Sequence, residues 1–212
     1  MIKLLLSAFF LSISLSSNSQ EKKETEQTPN IFDKMIEWDN KLKSLKANFN
    51  QEVIFKVAEM KQSVEGNIVF EKPDNIKITH AKPQKQIIII NSQKDITIIK
   101  PQDRQIIKSS WEKWKANLEP KLKGLFDLGN YSSLGKNSKI EFPDSFTIKI
   151  TPKDSSYILT LKLNEKYFPI ECELDLKDTV IKTYLKDINI DSKIEKDEFE
   201  YKNKEKYEVL KL

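Results

Sequence analysis

Between Gly66 and Ile90 the chain reads GNIVFEKPDNIKITHAKPQKQIIII, a strand, a proline turn, a second strand, another proline turn and a third strand. Pro73 and Pro83 each remove a backbone donor and disfavour helix in the residue before them, so no long helix runs through this stretch. The apolar residues alternate instead: Ile68 with Phe70, Ile76 with Ile78, then Ile96 with Ile98 beyond an Asn91-Ser92 turn. Downstream the alternation is cleaner, with Tyr157, Leu159, Leu161 and Leu163 on one strand and Ile170, Cys172, Leu174 and Leu176 on the next. On that second strand Glu171, Glu173, Asp175 and Lys177 point the other way, the pattern of half-buried antiparallel strands. Further strands are predicted at 139–142, 146–150, 180–190, 198–201 and 207–212.

Helical spacing occurs in two places. Phe32, Met35, Ile36, Leu42, Leu45 and Phe49 predict one amphipathic helix from Phe32 to Phe49, with Asn30 as its cap. Between Ser109 and Leu134, Trp111, Trp114 and Leu118 form one helix face. Pro120 interrupts it, Leu122, Leu125, Phe126 and Leu128 form a second, and Gly129 ends that one. Together these predict a mainly β fold, an open, strongly bent antiparallel β-barrel of about ten to eleven strands covered by short α-helices. A bent sheet has a concave apolar face that needs a cover. The two helical stretches are the candidates, either as permanent core or as a removable lid.

The N-terminus bears on compartment. Lys3 precedes an apolar run from Leu4 to Leu15, and Ser17-Asn18-Ser19 offers a small-x-small cleavage site, so residues 1–19 read as a signal peptide. The apolar run falls short of the about 20 residues that span a bilayer. No cysteine adjoins the cleavage site, so lipid attachment there is not expected. Residues 20–30 are polar and aperiodic and read as a flexible leader, and 31–212 as a single domain. The formal net charge is +4 and loses Lys3 with the signal; 32% charged residues of interspersed sign make no case for nucleic acid. Cys172 is the only cysteine, which excludes an intramolecular disulfide and leaves the fold to hydrophobic burial.

Catalytic constellations are thin. His80 is the single histidine and sits at an alternate strand position, where a structural role is the simpler reading. Cys172 lies in an apolar row, where burial raises its pKa and quenches its reactivity. Alternation places Glu171, Glu173 and Asp175 on a solvated outer face. The four glycines, Gly66, Gly124, Gly129 and Gly135, make no phosphate-binding loop. The sequence predicts a binding protein without catalysis, metal or cofactor.

Several short motifs stand in a fixed order: Phe49-Asn50-Gln51, then Gly66 through Lys72-Pro73, then Ile76, Ile78, His80 and Pro83, then Gln86-Ile87-Ile88-Ile89. Ile150-Thr151-Pro152-Lys153 and Phe168-Pro169-Ile170 follow. In this order they resemble the periplasmic outer-membrane lipoprotein carriers, the LolA family, in which a helix ends in Phe-x-Gln and a strand ends in a basic residue and proline. Three positions depart from the family pattern. Lys72 stands where the family has arginine, Ile78 where it has tryptophan, and Asn91-Ser92 where it has Asp-Gly.

The resemblance implies a carrier that binds the acyl chains of lipoproteins released from the inner membrane by a Lol-type ABC transporter. It delivers them to an outer-membrane receptor or to the outer membrane itself. The implied acyl cavity is lined by Phe49, Phe70, Ile76, Ile78, Ile89, Leu161 and Leu174, under a lid carrying Leu122, Leu125 and Phe126. Lys72 takes the place of the arginine latch that bonds the lid when the cavity is empty; lysine keeps the charge and loses the planar fork. Otherwise Lys72 is an ordinary surface lysine. The expected state is a periplasmic monomer. A lipid- or glycolipid-binding protein, or a lipoprotein-sensing regulator of the same fold, is the alternative. A secreted hydrolase is a more distant one, for which no Ser-His or carboxylate pair is found.

Overall fold

The computed structural model describes residues 30–91, 95–116, 138–195, 197–203 and 205–212. The signal peptide and nearly all of the leader, and the lid residues Leu122, Leu125 and Phe126, lie outside the described residues. Helix α1 spans Ile31–Lys41 and opens on a capping box. The Asn30 Oδ1 accepts from the backbone N–H groups of Phe32 and Asp33, both at 3.0 Å. The helix stops at Lys41. Leu42 is extended, and the chain enters β1, Ser44–Phe55. The helix predicted to run to Phe49 is therefore eight residues too long at its C-terminus, and Phe49-Asn50-Gln51 lies on a strand. Leu45 and Phe49 are four apart, a spacing that satisfies both a helical turn and the two-residue period of a strand. Pairing along both sides of β1 settles the matter in favour of the strand.

Eleven further strands follow: β2 Met60–Glu71, β3 Asn75–Lys82, β4 Gln86–Ile90, β5 Asp95–Lys100 and β6 Gln105–Ser110, then, after helix α2 at Trp111–Ala116, β7 Ser138–Asp144. The remainder are β8 Thr147–Pro152, β9 Ile158–Leu163, β10 Pro169–Leu176, β11 Thr179–Ile190 and β12 Glu208–Lys211. All twelve form one open sheet in the order β12-β6-β5-β4-β3-β2-β1-β11-β10-β9-β8-β7. Neighbours pair antiparallel except β12, which runs parallel to β6 and makes the sheet mixed at that edge. Register shifts interrupt β1, β2, β7 and β10, the kind of irregularity that bends a strand. The predicted strand at 198–201 is instead a turn around Phe199.

Two hydrophobic clusters divide between the faces of the sheet. The larger fills the inner face beneath α1 and runs from Leu45, Phe70 and Ile78 across to Leu161 and Leu174. The smaller lies on the outer face, where Val69, Ile89, Ile99 and Ile106 are covered by Ile194 and Phe199 from the segment after β11. Among the described residues no helix is long and apolar enough to cross a membrane.

Candidate functional site

The inner face is built by strand alternation. Leu45, Ala47, Phe49, Gln51 and Val53 of β1 are all buried, while the intervening Asn48, Asn50 and Glu52 are exposed. Phe49 is paired with Gly66, Gly66 with His80 and His80 with Gln86, so four of the sequence motifs meet in one row. The row explains the glycine. A Cβ on Gly66 would lie 2.1 Å from the Thr79 carbonyl oxygen and 2.7 Å from the Phe49 ring, so only the missing side chain lets that ring lie across the sheet. Phe49 then meets the His80 ring edge-on, with centroids 5.9 Å apart.

Of the expected lining, Phe49, Phe70, Ile76, Ile78, Leu161 and Leu174 belong to this one buried cluster. Ile89 does not. It pairs with Lys77 and Thr97 and faces the outer cluster, while Ile88 and Ile90 take the inner positions. In the run Ile87 to Ile90 both faces are apolar, so alternation alone carries no information about which parity points inward.

Helix α1 is held over this face from two sides. Lys34 Nζ donates to the Tyr167 hydroxyl at 2.9 Å, and Trp38 rests on Phe168 with ring centroids 4.4 Å apart, both partners in the β9–β10 turn. On the other side Lys72, at the β2–β3 turn, donates to the Asp39 carbonyl at 2.8 Å and the Asn40 carbonyl at 3.0 Å. An ammonium at the carboxyl end of a helix satisfies the last carbonyls and complements the helix dipole. Lys72 thus bonds helix backbone, and the helix it holds is α1. Beside it the Asp39 carboxyl is buried, and burial pushes its pKa up to about 7 against the opposing pull of Lys72. Trp111 and Trp114 of α2 stack on each other at 5.2 Å and pack against the same inner cluster.

The polar residues of the face are few. Burial lowers the His80 pKa, and its Nδ1 lies 3.4 Å from Gln86 Oε1, a contact that pulls the other way. Burial pushes the Cys172 thiol up to about 12, far from a reactive thiolate. His80 on β3 and Cys172 on β10 are separated by β2, β1 and β11 in the sheet. Glu171, Glu173 and Asp175 lie on the outer face as expected, bound to Lys162 at 2.9 Å, Lys182 at 2.8 Å and Lys56 at 2.6 Å. Among the described residues no three His, Cys, Asp or Glu side chains cluster as metal ligands do. Sequence reasoning missed the buried Asp39 and the buried Gln51. The second was accessible to it, because Gln51 shares the parity of Phe49.

No curated protein matches the chain. Among solved structures, the LolA superfamily protein NE2245 from Nitrosomonas europaea aligns with a TM-score of 0.49 at 12% identity, over 81% of this chain and 96% of that one. MucB, in its complex with MucA from Pseudomonas aeruginosa, aligns at 0.48 and 14% identity over 81% of this chain and 60% of that one. A putative outer membrane lipoprotein-sorting protein domain from Vibrio parahaemolyticus aligns at 0.44 and 12% identity, over 80% of this chain and 94% of that one. The family model for the outer membrane lipoprotein carrier protein LolA matches residues 40–202, from the end of α1 to the segment covering the outer face. The chain belongs to the LolA family.

Proposed function

We propose that this protein is a periplasmic carrier that takes acyl chains of lipoproteins onto the inner face of its sheet and delivers them to the outer membrane. The observation that supports it most is the apolar inner face, where Phe49, Phe70, Ile78, Leu161 and Leu174 share one buried cluster with Phe32 and Met35 of the covering helix α1. An inner-membrane Lol-type ABC transporter would load it, and an outer-membrane receptor or the membrane itself would receive the cargo. The reading assigns no catalytic step and no cofactor.

The energetics favour a covered face over an open one. Burying one CH₂ contributes about 0.8 kcal/mol, so a chain of about 15 such groups gains roughly 12 kcal/mol. Three chains fully buried would reach roughly 36 kcal/mol, beyond the ceiling of about 20 at which non-covalent binding saturates. Release therefore needs a competitor for the same surface. A cover that returns its own apolar residues to the inner face supplies one, lowering affinity by the free energy of closure.

Lys72 is the proposed latch of that closure, through its bonds to α1. Charge-assisted hydrogen bonds contribute about 1.5–3 kcal/mol. Lys72→Leu should raise affinity for a fluorescent acyl probe roughly tenfold and slow its release to acceptor vesicles. Lys72→Arg should lower affinity by favouring closure. Leu161→Glu, placing a charge within the buried row, should abolish probe binding. Unchanged probe affinity in a folded Leu161→Glu protein would remove the inner face as the acyl site. Native mass spectrometry of the protein isolated from its own periplasm would identify the cargo directly.

A further inference from the structure

We propose that Gln51 is a specificity-determining residue for the cargo, its side-chain carbonyl oxygen accepting a hydrogen bond from an amide N–H or hydroxyl carried by the entering acyl chain. The proposal rests on the carrier reading above. Gln51 sits on the inner row of β1 between Phe49 and Val53 and is only 1% exposed. Across the β1–β11 pair its Nε2 donates to Thr183 Oγ1 at 2.9 Å. That bond fixes the direction of the amide and uses one of its two N–H donors. The other end, Oε1, is buried and has no hydrogen-bond partner.

Buried acceptors without a partner are uncommon, because the water they lose is not replaced. Apart from Thr183, its partner, and the Cys172 thiol, the row around Gln51 is aliphatic. The row through it reads Ile148, Leu161, Cys172, Thr183, Gln51 and Val64 across six adjacent strands. A position that had only to pack would be met by valine, as at Val53 and Val64 on either side. The glutamine is instead oriented, desolvated and left with one unused acceptor facing the buried side of the sheet.

That acceptor discriminates by chemistry. A plain alkyl chain passing over Oε1 leaves it unsatisfied. An ester presents only further acceptors and is disfavoured for the same reason. An amide N–H or a hydroxyl satisfies it, with no bond broken and the cargo unchanged. Sequence specificity in the attached protein is not needed, since the acyl linkage itself is read.

The test uses the full chain carrying a fluorescent acyl probe, displaced by N-methylpalmitamide or by N,N-dimethylpalmitamide. The two competitors share chain and carbonyl, and only the first has an N–H. The second is the more apolar, so preference for the first runs against hydrophobicity. N-methylpalmitamide should compete about tenfold better, the effect of one hydrogen bond to a buried group. Gln51→Met, of similar length and without the acceptor, should erase the difference. Thr183→Val, which frees the amide to turn, should reduce it and serves if Gln51→Met does not fold. A hydroxylated fatty acid against its deoxy parent separates hydroxyl from amide recognition. Equal competition in the parent protein, with the probe bound, overturns the proposal and leaves the carrier reading intact. So does a preference that survives in folded Gln51→Met. Failure of the acyl probe itself to bind sinks the carrier reading and this inference together.

Discussion

The two halves of the sheet solve the same burial problem differently. In β9, β10 and β11 the inner positions Leu159, Leu161, Leu174 and Ile181 are apolar, and the outer ones carry Lys162, Glu171, Glu173 and Lys182 in cross-strand ion pairs. One cover suffices there, because water covers the other face. In β4 to β6 both faces are apolar: Ile88, Ile90 and Ile98 point inward, and Ile89, Ile99 and Ile106 outward. Such strands need a second layer. The segment after β11 provides it, with Ile194 and Phe199 on the outer isoleucines and a half-buried Lys77–Glu198 ion pair at 2.7 Å holding it to β3. The doubly covered half can serve as a fixed wall while the singly covered half keeps its outer face free. A polar outer face is thus a sign that only one side of a strand needs covering, and its absence a sign that a further chain segment must arrive.

The contrast can be broken at several points. The largest effect is expected from Gly66→Ala, because the new Cβ would meet the Thr79 backbone oxygen at 2.1 Å, a group that cannot move aside cheaply. A loss of about 3 kcal/mol or more is expected, with failure to fold as the extreme, read from the urea midpoint or soluble yield. Next comes the pH response of the inner cover. Asp39 has its carboxyl raised from 3.8 to about 7, so the folded state holds a proton that the unfolded state has released across that window. Its contribution is fully present below about pH 4 and is lost as pH rises through about 7, by roughly 4 kcal/mol at most. Asp39→Asn should flatten the stability–pH curve over this window, and an unchanged curve would place its source elsewhere. Phe199→Ala should cost about 3 kcal/mol by opening a cavity in the outer layer, and limited proteolysis should then cut the segment after β11. Glu173→Ala should cost about 1 kcal/mol or less in the same urea assay, since its ion pair with Lys182 lies on the outer face with both side chains partly exposed. A large loss there would mean that the outer face of the singly covered half is not simply solvated.

How much of this could be read beforehand follows the same division. Where one face was polar, as from Ile158 to Leu176, alternation gave both the strands and their orientation, and Leu161 and Leu174 lie on the expected side. Where both faces were apolar, as at Ile87 to Ile90, the strand was legible and its orientation was not, which is why Ile89 faces outward against expectation. Local spacing misjudged the α1–β1 junction because four-residue intervals suit either period, and only pairing with β2 and β11 decides. The parallel pairing of β12 with β6 is a long-range fact with no local signal. Lys72 was singled out from a motif, whereas its actual acceptors, the carbonyls of Asp39 and Asn40, depend on where α1 ends.

Among the described residues the linear strand order leaves β7 and β12 as the outermost strands, each with one side unpaired in the sheet. Unpaired edges invite another chain to add a strand. Neither of these offers a good template. β12 is four residues long, and β7 carries Pro143 and loses its regular pairing between Glu141 and Asp144. On the proposed carrier cycle the apolar interior would be uncovered at each loading and release, and self-association is most dangerous in such states. Blunt ends on its sheet would then keep that exposure from becoming a growing polymer.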